Sequence, residues 1–228
     1  MFLGAVEVLA PSRVLGTVVA LGDSLTDGTG STSGADARWP DRLADRLAAR
    51  TGSTLAVVDA GLSGNALLAP RPSRPEQGAA TAARFDRDVL GLSGARTVVL
   101  LIGTNDLGRG ATAGHLAQAV RDLVTRSHAA GLRVVGATVP PLTGSPIGRR
   151  VLGGQQQADR QRRALNAWLL HRAPFDAVVD VDAVLRDPRD PARLRPEYDS
   201  GDHVHPSDAG YAAVADAVPL AALDPRLG

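Results

Sequence analysis

The chain has 228 residues, of which 44% are hydrophobic and 21% charged, enough for one large domain with a substantial core. Its 25 basic and 24 acidic residues leave a formal charge of +1, which argues against a bulk nucleic-acid or membrane-surface binder. All the basic residues are arginine and there is no cysteine, so lysine Schiff-base chemistry, a P-loop lysine, thiol catalysis and cysteine-built metal sites are excluded.

The opening "MFLGAVEVLAPSRVLG" has neither a basic n-region nor a small-residue cleavage site, and reads as an extended lead-in over residues 1–16. The expected location is the cytoplasm if the chain is complete, and outside the cell if it is one domain of a longer exported protein. From residue 17 to 228 the pattern is that of a single domain, with no internal repeat and no run approaching the roughly 18 apolar residues of a membrane span. The spacing predicts strands at Thr17–Leu21, Leu55–Val58, Thr97–Ile102, Arg133–Val139 and Ala177–Val181. Helices are predicted after Trp39-Pro40, with Leu43 and Leu47 inward, and along the stripe Leu116, Val120, Leu123 and Val124, ended by Gly131. Two more follow at Gln155–His171 and Pro206–Val218. Alternating strands and helices, with strands apolar throughout, imply a parallel sheet covered on both faces. The long connections Pro70–Gly78, Pro140–Gly154 and Asp187–Asp202 are candidates for function or movement.

In an open parallel sheet, ligands sit beyond the carboxyl ends of the strands. Those ends carry Gly22-Asp23-Ser24, then Gly61 with Ser63-Gly64-Asn65, then Gly103-Thr104-Asn105-Asp106, while Asp202-His203-Val204-His205 precedes the last helix. A serine hydroxyl becomes a nucleophile when a base removes its proton. His205 is suited to that task, and Asp202, three residues earlier, to fixing its tautomer. The amides of Ser24 and Gly61 and the carboxamide of Asn105 are candidate oxyanion donors. His203 is expected at the rim, since its neighbour Asp202 points the other way on an extended segment. Asp23 and Asp27 are expected to shape the turn, Asp106 to cap a helix, Trp39 and Trp168 to pack, and Arg38 and Arg109 to be solvated. An N-cap role is the competing assignment for Ser24.

"GDSLTDG", the glycine in "DAGLSGN", "GTND" and "DHVHP" resemble, in order, the four blocks of the SGNH (GDSL) hydrolase family, over Gly22 to Pro206. The resemblance implies a flavodoxin-like three-layer α/β/α sandwich with five parallel strands ordered 2-1-3-4-5. It also implies a Ser24, Asp202, His205 triad, an oxyanion hole of Ser24, Gly61 and Asn105, and a bacterial ester hydrolase of the carbohydrate-esterase or lysophospholipase-like branch. The lead-in is similar to the segment joining an N-terminal β-domain to the hydrolase in longer secreted members. The expected substrate is a small-molecule or glycan ester with a short acyl or acetyl group, and no cofactor, metal, nucleic acid or membrane span is expected. Oligomeric state is open.

Other classes fit less well. Thr26 stands where an α/β-hydrolase elbow needs its second glycine, and G-x-G-x-x-G is absent after the first strand. A flavin-binding module has no need of Asp202 and His205, and metal-ligand spacing is missing. An acyltransferase using the same acyl-serine, a lysophospholipase and an inactive binding module are the alternatives within the family.

Overall fold

The computed structural model describes residues 8–149 and 151–228, so residues 1–7 of the expected lead-in lie outside the described residues. In chain order the elements are β1 (Val14–Gly22), α1 (Ser24–Asp27), α2 (Trp39–Ala48), β2 (Thr54–Gly61), α3 (Thr81–Phe85), β3 (Ala95–Leu101), α4 (Thr104–Gly108), α5 (Ala113–Ala129), β4 (Arg133–Ala137), α6 (Gly154–His171), β5 (Ala177–Val179), α7 (Val181–Leu185), α8 (Asp208–Ala217) and α9 (Leu220–Leu223). β1 takes in residues 14–16 of the expected lead-in, with a register shift before Thr17. The sheet is parallel throughout and ordered β2-β1-β3-β4-β5, as the resemblance implied.

Successive strand side chains point to opposite faces, and both faces are apolar. Val18 and Ala20 of β1, Val99 and Leu101 of β3 and Val135 of β4 pack against Trp39, Leu43 and Leu47 of α2 and Tyr211 and Val214 of α8. Val19, Leu21, Val98, Leu100 and Val134 face Leu116, Val120 and Leu123 of α5 and Leu165 and Leu169 of α6. The result is three layers.

The helices start where side chains can satisfy their first amides. Thr112 accepts from the His115 amide ahead of α5, and Ser207 from the Gly210 amide ahead of α8. α5 ends at Gly131 (φ +76°), where the Leu132 amide reaches back to Ser127. Predicted and observed elements agree for the four long helices, while β4 stops two residues early. Beyond Ala137, the Thr138 side chain bonds to Asp180 and the next amide goes to Asn166, so the ladder ends.

From β1 the chain turns outward to β2, then returns across β1 to β3. The connections therefore part between β1 and β3, opening a crevice at their carboxyl ends. Gly22 is level with both Gly61 and Leu101, which puts the turns after β1, β2 and β3 on one rim. No helix among the described residues is long and apolar enough to cross a membrane.

Candidate active site

β1 delivers Gly22 to the rim, and Asp23 breaks the strand. Its buried Oδ1 accepts the Leu25 N–H at 3.0 Å, making Asp23, not Ser24, the cap of α1. Ser24 thus occupies the first helical position, where its own N–H has no helical acceptor. The residue is 8% exposed.

His205 arrives from the opposite end of the chain on a tight turn, closed by the Ser200 amide on the His205 carbonyl (3.1 Å) and the Ser207 amide on that of Tyr198 (2.8 Å). Within it, Asp202 Oδ1 accepts the N–H groups of Val204 (3.0 Å) and His205 (2.8 Å), and Oδ2 lies 2.5 Å from His205 Nδ1. His205 Nε2 lies 2.8 Å from Ser24 Oγ. Partial burial pushes the Asp202 carboxyl up, but the ring and amide hydrogen bonds outweigh it and hold the group below the usual carboxylate range. His203 is turned elsewhere, with Nδ1 2.6 Å from Asp199 Oδ2. Of the two histidines, His205 is the one that reaches Ser24.

Asn105 lies on α4, with Nδ2 donating to the Asn65 carbonyl at 3.0 Å and standing 3.4 Å from Asp23 Oδ2. Gly61 does not match the role expected of it. Its N–H is committed to Asp59 Oδ1 at 2.7 Å, and a Cβ there would sit 2.2 Å from the Asp27 nitrogen, so this glycine lets α1 pack against the end of β2. The next turn brings a free amide instead. The Leu62 N–H bonds to the Gly22 carbonyl (3.2 Å), and the Ser63 hydroxyl lies against Asp27 and Thr29. Asn65 offers its carbonyl to Asn105. Gly64, strung between these anchors at φ +75°, has no acceptor for its N–H among the described residues. A Cβ at Gly64 would come within 2.3 Å of Gln77 Nε2, and the left-handed backbone favours glycine as well.

Two arginines hold this half of the site. Arg84, 4% exposed, donates to the carbonyls of Gly22 (2.8 Å) and Ala60 (2.9 Å), to Asn65 Oδ1 (3.0 Å) and to Asp88 (2.9 Å). One buried cation thereby ties the ends of β1 and β2 to the 62–65 turn. Asn65 is completed by the Thr81 hydroxyl and by the carbonyls of Gln77 and Ala79. Arg109, exposed as expected, also donates to the Gly64 and Ala69 carbonyls and to Gln77 Oε1. Asp106, expected to cap a helix, instead lies within α4 and accepts the Leu67 and Leu68 amides, holding the irregular chain after the 62–65 turn. Burial raises three nearby carboxyls: Asp23 to about 7, with neighbouring Asp106 adding to the effect; Asp59 to about 6, against the pull of the Gly61 amide and Arg38; and Asp106 itself.

The model of the GDSL-like lipase/acylhydrolase family matches residues 20–213. No curated protein matches. Similar solved structures include the inhibitor-bound aryl esterase of M. smegmatis, 22% identical, covering 91% of this chain and 99% of that one with a TM-score of 0.69. LAE5, an alpha/beta hydrolase enzyme from the metagenome of Lake Arreo, is 21% identical over 94% of this chain and 97% of its own, with a TM-score of 0.65. A GDSL-like lipase from Bacteroides thetaiotaomicron is 20% identical, covering 94% and 91%, with a TM-score of 0.63. At these identities the likeness carries the fold, and the family match carries the chemistry. The chain belongs to the GDSL-like lipase/acylhydrolase family and is a carboxylic ester hydrolase.

Proposed function

We propose that the protein hydrolyses carboxylic esters with short acyl groups, acetyl among them, by double displacement through Ser24. The observation that carries this reading is the unbroken chain from Ser24 Oγ through the His205 ring to Asp202, spaced 2.8 and 2.5 Å across 181 residues of sequence. With Nδ1–H donated to Asp202, the neutral ring presents the Nε2 lone pair to the serine proton. As Oγ attacks the ester carbon, His205 takes that proton and Asp202 offsets the imidazolium charge. The oxyanion is received by the amides of Ser24 and Gly64 and by Asn105 Nδ2, one of whose hydrogens stays anchored on Asn65 while the other gives up its long 3.4 Å contact with Asp23 Oδ2. Gly64 replaces Gly61 in this set because the Gly61 amide is already bonded to Asp59. Collapse breaks the carbon–oxygen bond, His205 returns the proton to the leaving alcohol, and water repeats the sequence on the acyl-serine.

The test pairs Ser24→Ala with covalent labelling. The variant is expected to lose turnover of 4-nitrophenyl acetate while keeping the wild-type melting temperature, and an organophosphonate is expected to add to Ser24 of the wild type alone. Turnover surviving in Ser24→Ala would sink the proposal.

A further inference from the structure

Asp199 and His203 repeat the carboxylate–imidazole arrangement of Asp202 and His205 on the same turn. Asp199 Oδ1 accepts the amides of Gly201 (2.8 Å) and His203 (3.0 Å), and Oδ2 lies 2.6 Å from His203 Nδ1. The Asp199 side chain is 12% exposed and the His203 side chain 49%, so the carboxylate is sheltered and the ring faces solvent. With Nδ1–H held by Asp199, the neutral ring turns an acceptor, Nε2, outward, and no partner meets it among the described residues. His203 also adopts φ +66°, a conformation a histidine takes only when its surroundings impose it.

A second loop completes the surroundings. Gly144, in the long connection after β4, lies against this ring. The point a Cβ on Gly144 would occupy is 3.3 Å from His203 Cβ and Cγ and 3.0 Å from Arg193 Nη1. Arg193 is paired through Nε with Asp190 at 3.2 Å, and Arg149 donates to the Gly144 carbonyl at 2.8 Å. His203, whose ring carries the outward acceptor, and Arg193, which carries a donor, thus both lie against Gly144, each beside its own carboxylate. Such a pair is polar with little net charge, which suits neutral hydroxyls better than an anion.

The chemistry of the ester places this spot relative to substrate. The carbonyl oxygen must face the oxyanion donors, and the alcohol oxygen must reach His205 Nε2 to be protonated, so the alcohol lies over the 199–205 turn. His203 is two residues from His205, about 7 Å of chain at most. Resting on the serine-esterase reading above, we propose that His203 Nε2 and Arg193 form a subsite for the leaving alcohol and select esters of polyhydroxylated alcohols, such as glycerol or a sugar.

Two acetates with the same acyl group and carbon chain test this: glyceryl monoacetate and propyl acetate, which differ by two hydroxyls. The readout is the ratio of their kcat/KM values. The wild type is expected to favour the glyceryl ester. Asparagine tolerates φ +66° and its amide can still donate to Asp199, so His203→Asn keeps the turn stapled while drawing the acceptor back from the Nε2 position towards the backbone. In that variant the ratio should fall roughly three- to tenfold, the scale of one net hydrogen bond. Arg193→Leu should lower it in the same direction. An unchanged ratio in both variants, whether the two rates hold or fall together, overturns the subsite and leaves His203 a mere staple. Propyl acetate turnover that disappears in Ser24→Ala keeps the esterase reading standing whatever the ratio does. A wild type inert to both esters brings down that reading and this one with it.

Discussion

The two halves of the site are built differently. Ser24, Gly64 and Asn105 are carried by strand ends and braced from below by Arg84, Asn65 and Thr81, all nearly inaccessible to water. His205 and Asp202 hang from a turn that is anchored by buried Val204 but exposed at Ser200, Gly201 and His203, and the Asp202 side chain is itself 46% exposed. Groups meant to meet a developing negative charge work best when they are fixed beforehand, since reorienting them during reaction costs energy. The base of the proposed mechanism has a different task. It must pass a proton between serine, alcohol and water, and a turn held by backbone amides on Asp202 leaves it within reach of all three. Rigidity is concentrated where charge appears, and solvent access where protons move.

Breaking the brace should have the largest effect. Arg84→Met strips donors from two strand-end carbonyls and from Asn65, and should cost about 3 kcal/mol or more in denaturant unfolding. Asp202→Asn, on the exposed turn, should change stability far less. Equal losses in the two variants would erase the contrast between the halves. Next comes Asn105→Ala, expected to lower kcat by about 10²–10³-fold with KM little changed, because its donor matters chiefly once the oxyanion forms. A rise in KM alone would instead make Asn105 a ground-state binder.

The smallest effect is the dependence of stability on pH. Asp23, at about 7, and Asp59, at about 6, hold their protons more tightly when folded than when unfolded, and Asp106 is shifted the same way. Their contribution is greatest in acid and declines as pH rises from about 4 to about 7. Asp202, Asp176 and Asp224 are depressed and act in the opposite sense, their stabilisation being lost as pH falls below about 4. Thermal stability is therefore expected to peak near pH 4 and to decline from there towards neutrality. Asp23→Asn keeps an acceptor for Leu25 and should flatten the decline on the neutral side. A variant curve parallel to the wild type would show that Asp23 is ionised in the fold throughout.

Much of this was legible in the sequence because it rests on local pattern. Apolar strands at regular intervals marked the sheet, and Ser24, Asn105, Asp202 and His205 stand beside glycines, caps or a proline that locate them at strand or helix ends. What escaped depends on contacts distant in sequence or on which way one peptide faces. Gly61 and Gly64 are equivalent as letters in "DAGLSGN", and only the bond from the Gly61 amide to Asp59 separates their roles. Arg84 is one arginine among 25, with nothing in its neighbourhood to set it apart until β1, β2 and the 62–65 turn converge on it. Arg109 is exposed as expected, and only its bonds were hidden, because their acceptors lie 32 to 45 residues away. His203 was placed at the rim, but its pairing with Asp199 needed the turn itself.

The separation of 181 residues between Ser24 and His205 also bears on when the enzyme comes alive. β1 lies inside the sheet and is made before the other four strands, whereas the imidazole emerges only after β5 has been made. A nascent chain stalled before residue 205 carries a serine with no base and cannot cleave an ester. In the proposed mechanism, activity therefore waits until all five strands and the 199–205 turn have been made.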